Sequence, residues 1–402
     1  MKMNRCFFFL ACSFFSFSAF AQIDTTAYRT IANSIQKKYA PDKRSVYFNV
    51  RFKADSVFVE STSEQAVQAF EKSIPENIKA KLSAAVLPSK QLKDMVYGVT
   101  TISVANNRSQ PFHGAELMTQ TLLGTPIQIL KKQGGFYLVK SPDGYLAWTD
   151  GGSVAPMNQN GFKTWQEAKK IVYTNDYGHA FVKPDIAAAR VSDLVAGNIL
   201  KLLGQENGFV KVAFPDGREA YIPANQTTDY TAWLKRPLPN AEAILKTAQT
   251  LIGVPYLWGG TSIKGVDCSG FTKTAYFLNG VVIPRDASQQ ALVGEKLDVL
   301  ENDSISVEKC LKNLKPGDLM FFSAAKRRGV SNGRVSHTAI YMGNGEFIQS
   351  AGMVKISSIL PTAANYDEYQ TKTLVGARRI LTQVGQPEIT KLEKHDWYLS
   401  KK

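Results

Sequence analysis

Among four cysteines and four histidines, one of each stands in a setting that can do chemistry. Asp267-Cys268-Ser269-Gly270 follows the glycine-rich run GVPYLWGGTSIKGV and precedes an apolar helical stretch, Phe271 to Leu278. That order predicts Cys268 at a helix start, where backbone N–H groups converge and the helix dipole favours an anion. A thiol so placed should have a lowered pKa and give the reactive thiolate. The same N–H groups could stabilise an oxyanion in acyl transfer. A thiolate nucleophile needs a base and a group to orient that base. His337 lies in RVSHTAIYMGNGEFIQSAG, which reads as two strands around a Gly-Asn-Gly turn. It opens the first strand, and Gln349 lies near the end of the second. Antiparallel pairing could bring the Gln349 amide to the far imidazole nitrogen and fix its tautomer. Cys310, in VEKCLKNL, reads as a small packed hydrophobe.

The elements that must hold these residues follow from the rest of the 402-residue chain, long enough for several domains. Residues 1–21 carry Lys2 and Arg5, an apolar run and Ala19-Phe20-Ala21, the pattern of a secretory signal peptide. The protein is therefore expected to be exported to a periplasm or beyond. Cys12 after Leu10-Ala11 makes a lipoprotein the weaker alternative, and no other stretch is long and apolar enough to span a bilayer. Cys6 and Cys12 fall in this leader, and no framework spacing pairs Cys268 with Cys310.

Residues 22–95 read as a small α+β unit. Ser45 to Glu60 alternates like a hairpin, and Glu64 to Leu87 has helical spacing that Pro75 divides into two helices. Residues 96–158 and 159–236 repeat one plan. GTPIQILKKQGGFYLVKSPDGYLAW aligns with GNILKLLGQENGFVKVAFPDGREAYI, each with a Gly-Phe turn, a V-x-V-type strand and a P-D-G turn. They resemble tandem bacterial SH3-like β-barrels. Residues 237–381 mix helices and short strands, and residues 382–402 form a polar tail. The net charge of +14 is spread along the chain. It suits anionic partners, while the leader and the lack of a dense basic run argue against nucleic acid. No cluster points to a metal or an organic cofactor.

PYLWGG, DCSGF, PRDASQQ, LKPGDLMFF and SHTAIYMGNGEFI, in that order, resemble the NlpC-type cell-wall cysteine peptidases. The resemblance implies a papain-like α+β domain. With the two SH3-like barrels it looks like the γ-D-glutamyl-L-diamino-acid endopeptidase group. The implied reaction is hydrolysis of the bond between γ-D-glutamate and a diamino acid in murein peptides with a free N-terminal L-alanine. The implied catalytic residues are Cys268 as nucleophile, His337 as base, Gln349 where the family most often has a second histidine, and Tyr256 at the oxyanion. Glu116, Tyr145, Trp258, Asp267, Ser269, Arg285, Asp286 and Ser288 are the implied substrate-site residues, with Glu116 and Asp267 facing the substrate's amine. The barrels would also hold peptidoglycan. Two alternatives stay open: an endopeptidase acting on intact peptidoglycan, and a catalytically inactive wall-binding protein.

Overall fold

A computed structural model describes residues 25–53, 56–74, 81–328 and 333–399. The signal-peptide reading lies outside these residues. The described residues form two compact units, one within residues 25–41 and 46–86, the other within residues 42–45 and 87–399.

In the smaller unit, α1 (Thr25–Tyr39) precedes a hairpin of β1 (Phe48–Lys53) and β2 (Ser56–Ser61), paired from Phe48↔Ser61 to Lys53↔Ser56. Val57, Val59 and Ser61 alternate inward along β2, as a one-sided strand requires. Ser63 caps α2 (Glu64–Ser73) by accepting from the Ala66 N–H. The expected second helix falls partly on residues 75–80, outside the described residues, and the described remainder is not helical. Leu82–Val86 is instead strand β3, parallel to β2 from Val57↔Leu82 to Ser61↔Val86. The free edge of β2 offers backbone partners in register, and that pairing overrides a weak helical pattern in LSAAV.

The larger unit contains two seven-stranded antiparallel sheets. The first comprises β4 (Tyr97–Thr100), β5 (Val104–Arg108), β6 (Leu117–Leu122), β7 (Pro126–Gln133), β8 (Phe136–Lys140), β9 (Leu146–Asp150) and β10 (Val154–Met157), in the order β10-β4-β7-β8-β9-β5-β6. The second comprises β11 (Lys170–Tyr173), β12 (Tyr177–Phe181), β13 (Arg190–Val195), β14 (Ile199–Glu206), β15 (Phe209–Ala213), β16 (Glu219–Pro223) and β17 (Thr227–Asp229). Its order, β13-β12-β16-β15-β14-β11-β17, is the first order read from the other end, each strand replaced by the one seven later. The repeat extends to irregularities. A bulge interrupts β7–β8 between Ile129 and Lys131 and β14–β15 between Leu202 and Gly204. The P-D-G turns place Gly144 and Gly217 at φ 80° and 91°. No pairing joins the outermost strands of either sheet among the described residues, so these are β-sheet domains resembling SH3-like units rather than barrels with closed pairing.

A six-stranded antiparallel sheet follows, in the order Glu295–Leu297, Leu374–Arg379, Leu319–Phe322, His337–Gly343, Glu346–Ala351 and Met353–Ser358. Both its faces are buried. Leu319, Phe321, Ile340 and Ile348 point to one core, which Phe271, Ala275 and Tyr276 of the helix Cys268–Leu278 complete. Met320, Phe322, Ala339, Tyr341 and Phe347 point to the other, with Cys310. Each Leu, Ile, Met or Phe among them contributes about 1.5–3 kcal/mol on full burial. Cys310 is packed in that second core, and Cys268 and Cys310 are both free thiols.

The polar tail carries more packing than its composition suggests. Thr390–Lys391 pairs with Val281–Val282, and Ile389, Leu392 and Tyr398 are buried. Among the described residues, no helix is long and apolar enough to cross a membrane.

Candidate active site

The glycine-rich loop brings the start of the Cys268 helix against the first sheet. Gly259 has φ 80°, and a Cβ there would lie 2.6 Å from the Leu117 backbone oxygen. A Cβ on Gly270 would lie 1.9 Å from the Gly260 oxygen, so loop and helix can meet only through glycine.

Asp267 caps the helix, its Oδ1 accepting from the Gly270 N–H at 2.6 Å. Its Oδ2 accepts from the Gly259 N–H at 2.8 Å. The Arg285 guanidinium grips both oxygens, Nη1 to Oδ1 at 3.0 Å and Nη2 to Oδ2 at 2.7 Å. Arg285 also donates to Ser269 Oγ at 3.0 Å and, through Nε, to Thr119 Oγ1 on β6 at 2.9 Å. It is 1% exposed. Arg285 therefore ties the nucleophile's helix to the first sheet, and the Asp267 carboxylate is already richly bonded.

Cys268 is the first residue of the helix and is 6% exposed. The backbone N–H groups of Thr338 and Ser269 approach its sulfur, which puts Sγ beside the residue that follows His337. Burial pushes the thiol up to about 12, and the neighbouring Asp267 carboxylate adds to the rise. Those two N–H groups and the Arg285 charge oppose it without winning. The lowered thiol pKa expected from the helix start is thus reversed: in a site closed to water, desolvation of a thiolate outweighs the dipole.

His337 begins its strand and is half-buried. One imidazole nitrogen, Nε2, meets Gln349 Oε1 at 2.7 Å. Gln349 is fully buried, and its Nε2 donates to Ser357 Oγ and to Asp367 Oδ2, each at 2.9 Å. Because a carboxylate only accepts, Asp367 fixes which end of the amide is nitrogen. Oε1 must then face the imidazole, so His337 carries its proton on Nε2 and keeps a lone pair on Nδ1. Burial holds the His337 pKa below its ordinary value, opposed by the Gln349 hydrogen bond and by the charges of Asp367 and Asp267. Thiol up and imidazole down make a neutral pair at rest. Asp367 was not among the residues singled out from the sequence. It also caps the helix Glu368–Thr373 through the Gln370 N–H at 3.0 Å, and the D-E start of that helix was the available signal.

A cleft of about 510 Å³ opens over Cys268. Tyr145, Tyr256, Trp258, Asp267, Ser269, Asp286 and Ser288 line it. Burial keeps the Tyr256 phenol protonated, with its pKa above the usual range. Trp258 is 59% exposed at the cleft. Tyr145 is buried, and its hydroxyl donates to Asp286 Oδ2 at 3.2 Å. Arg285 lies behind the wall. Glu116 is exposed and does not line the cleft, whereas Met118, two residues along, does. Arg44 lines it too, and nothing in its sequence surroundings pointed there. A larger groove of about 1010 Å³, bounded in part by Pro142, Gln383 and Trp397, contains none of these catalytic candidates. No cluster of metal-binding side chains occurs among the described residues.

A buried thiol at a helix start, beside a strand that carries an amide-oriented imidazole, coincides with a family match: residues 253–379 match the NlpC/P60 family. This part of the chain is an NlpC/P60-family cysteine-peptidase domain. Residues 107–150 match the bacterial dipeptidyl-peptidase SH3 domain. Over 282 residues the chain is 29% identical to a γ-D-glutamyl-L-lysine dipeptidyl-peptidase of Bacillus cereus, covering 66% of this chain and 76% of the relative. Dipeptidyl-peptidase 6 of Lysinibacillus sphaericus is 25% identical, over 62% of this chain and 85% of that protein. In fold, the chain is similar to the crystal structure of an NlpC/P60 family protein from Bacillus cereus. The TM-score is 0.57 at 24% identity, over 70% of this chain and 99% of the other.

Proposed function

We propose that this NlpC/P60 peptidase hydrolyses the γ-D-glutamyl–diamino acid bond of murein peptides that carry a free N-terminal L-alanine. The observation that carries the reading is the convergence at the helix start: the Cys268 sulfur lies against the Thr338 N–H, and the neighbouring His337 is locked by Gln349. Similarity to relatives named as γ-D-glutamyl-L-lysine dipeptidyl-peptidases supports the substrate class.

In the proposed reaction the pair starts neutral. As Cys268 Sγ attacks the γ-carbonyl of D-glutamate, His337 Nδ1 takes the thiol proton. The Cys268 N–H and the Tyr256 hydroxyl receive the developing oxyanion. The tetrahedral centre collapses, the C–N bond breaks, and the protonated His337 gives its proton to the leaving amine. Water, deprotonated by His337, then opens the thioester, releases L-Ala-D-Glu and restores the thiol. Asp267, Ser269, Asp286, Ser288, Tyr145 and Trp258, which line the cleft, are assigned to the substrate, and Arg285 to holding Asp267 in place. The helix-and-sheet unit is read as papain-like, the two repeated sheets as SH3-like barrels that also meet peptidoglycan, and the chain as exported.

Mass spectrometry of digests of synthetic L-Ala-γ-D-Glu-L-Lys and its diaminopimelate counterpart tests the proposal. The wild type should release L-Ala-D-Glu, and Cys268→Ala should release none. Absence of that dipeptide from the wild-type digest, or equal release by the variant, refutes it.

A further inference from the structure

Arg44 reaches the cleft from outside the catalytic domain, on the four-residue segment 42–45 that packs with the larger unit. The segment is tightly made. Asp42 Oδ1 accepts from the Arg44 backbone N–H at 2.9 Å and from its Nε at 2.7 Å, and Asp42 Oδ2 accepts from Nη2 at 2.8 Å. Gln289 donates to Asp42 Oδ2 at 2.9 Å. The Arg44 carbonyl accepts from the Leu146 N–H at 2.7 Å, next to Tyr145. Backbone and side chain are therefore both pinned before any substrate arrives.

The other edge of the guanidinium faces the cleft. Nη1 donates to Asp286 Oδ2 at 2.7 Å and to Ser288 Oγ at 2.9 Å, and Tyr145 donates to the same Asp286 oxygen. Two groups assigned above to the substrate, Asp286 and Ser288, thus bond one Arg44 nitrogen, and Tyr145 joins them through Asp286. Two carboxylates, Asp42 and Asp286, flank the Arg44 guanidinium, and Asp286 and Asp267 both line the cleft, where carboxylate oxygens suit an ammonium. Arg44 itself, with four N–H groups engaged, is a rigid obstacle there and stays charged because both carboxylates raise its pKa.

We propose that Arg44 is the end wall of the cleft, a specificity-determining residue that admits a peptide ending in a free ammonium and stops one that is blocked or continues past that point. The proposal rests on the cleavage assigned above and adds the element that sets substrate length.

The test is kcat/KM for L-Ala-γ-D-Glu-L-Lys and for its N-acetyl derivative, measured on wild type, Arg44→Ala and Arg44→Lys, with thermal midpoints to establish folding. In Arg44→Ala the preference for the free amine should fall about tenfold or more, mainly through a lower KM for the acetylated peptide. Arg44→Lys, which keeps a charge without the fork, should fall between. Folded variants that lose both activities in proportion, leaving the preference unchanged, overturn the end wall, as does a wild type that cuts both peptides equally well. In those cases cleavage of γ-D-glutamyl peptides stands. A wild type that cuts neither refutes the functional reading and this inference with it.

Discussion

The resting charge state of Cys268 can be tested without any substrate. Burial and Asp267 together move the thiol from its ordinary value of 9.0 to about 12. At pH 7.5 that lowers the thiolate share about a thousandfold, while the greater basicity of the sulfur returns a factor of about 20, for a net slowing of about 50-fold against a free cysteine. The assay is iodoacetamide alkylation of the unliganded protein at pH 6 to 10.5, followed at the Cys268 peptide by mass spectrometry. The rate should climb through the whole range without levelling. Asp267→Asn removes the second-largest cause of the rise and leaves the Arg285 charge unopposed, so its alkylation should be faster at every pH below 9. A wild-type rate that plateaus near neutrality would mean that the thiolate–imidazolium pair exists before substrate binds, and the neutral-pair mechanism would be wrong.

Three further expectations follow from the same contacts. Gln349→Leu strips His337 of its acceptor and Asp367 of a donor; kcat should drop by about a hundredfold or more with KM little changed, as steady-state kinetics will show. Arg285→Met leaves Asp267 buried without its counter-charge and cuts the link to Thr119; denaturant unfolding should show a loss of about 3–5 kcal/mol, and a loss below about 1 kcal/mol would contradict the bonding described. His337 has a folded pKa below its ordinary 6.5, so the unfolded chain binds more protons in that interval and stability must rise with pH up to about 6.5. Unfolding midpoints should therefore fall on acidification below pH 6.5, and fall less steeply in His337→Gln.

The reactive geometry was legible because it is local. The Asp-Cys-Ser-Gly run states a helix cap, and strand periodicity around Gly-Asn-Gly puts Gln349 on the neighbouring strand within reach of His337; neither needs knowledge of the rest of the chain. The repeat was legible for the same reason, since turn and strand signals recur in order. The sign of the thiol pKa was not. The helix start is visible in sequence, but the burial that outweighs it depends on how the sheet and loop close over the sulfur. Arg44 was hidden because more than two hundred residues separate it from Asp286 and Ser288. Leu82–Val86 misled because a strand edge some twenty residues earlier decides its conformation. The tail misled because its few apolar residues, Ile389, Leu392 and Tyr398, are too widely spaced to make a pattern.

Those few residues bear on how this protein can be divided. Leu392 and Tyr398 share one buried cluster with Val282, with Val99 of the first sheet, with Val172 and Ile199 of the second, and with Tyr230 and Trp233. The Tyr230 hydroxyl donates to the Tyr398 carbonyl at 2.8 Å. The last stretch of chain therefore acts as a keystone, and the modules suggested by sequence cannot be lifted out one at a time. A recombinant fragment ending where the peptidase motifs end would bare indole and phenol rings to water and invite precipitation. Shuffling such a peptidase onto a foreign pair of sheets would require its terminus to travel with it.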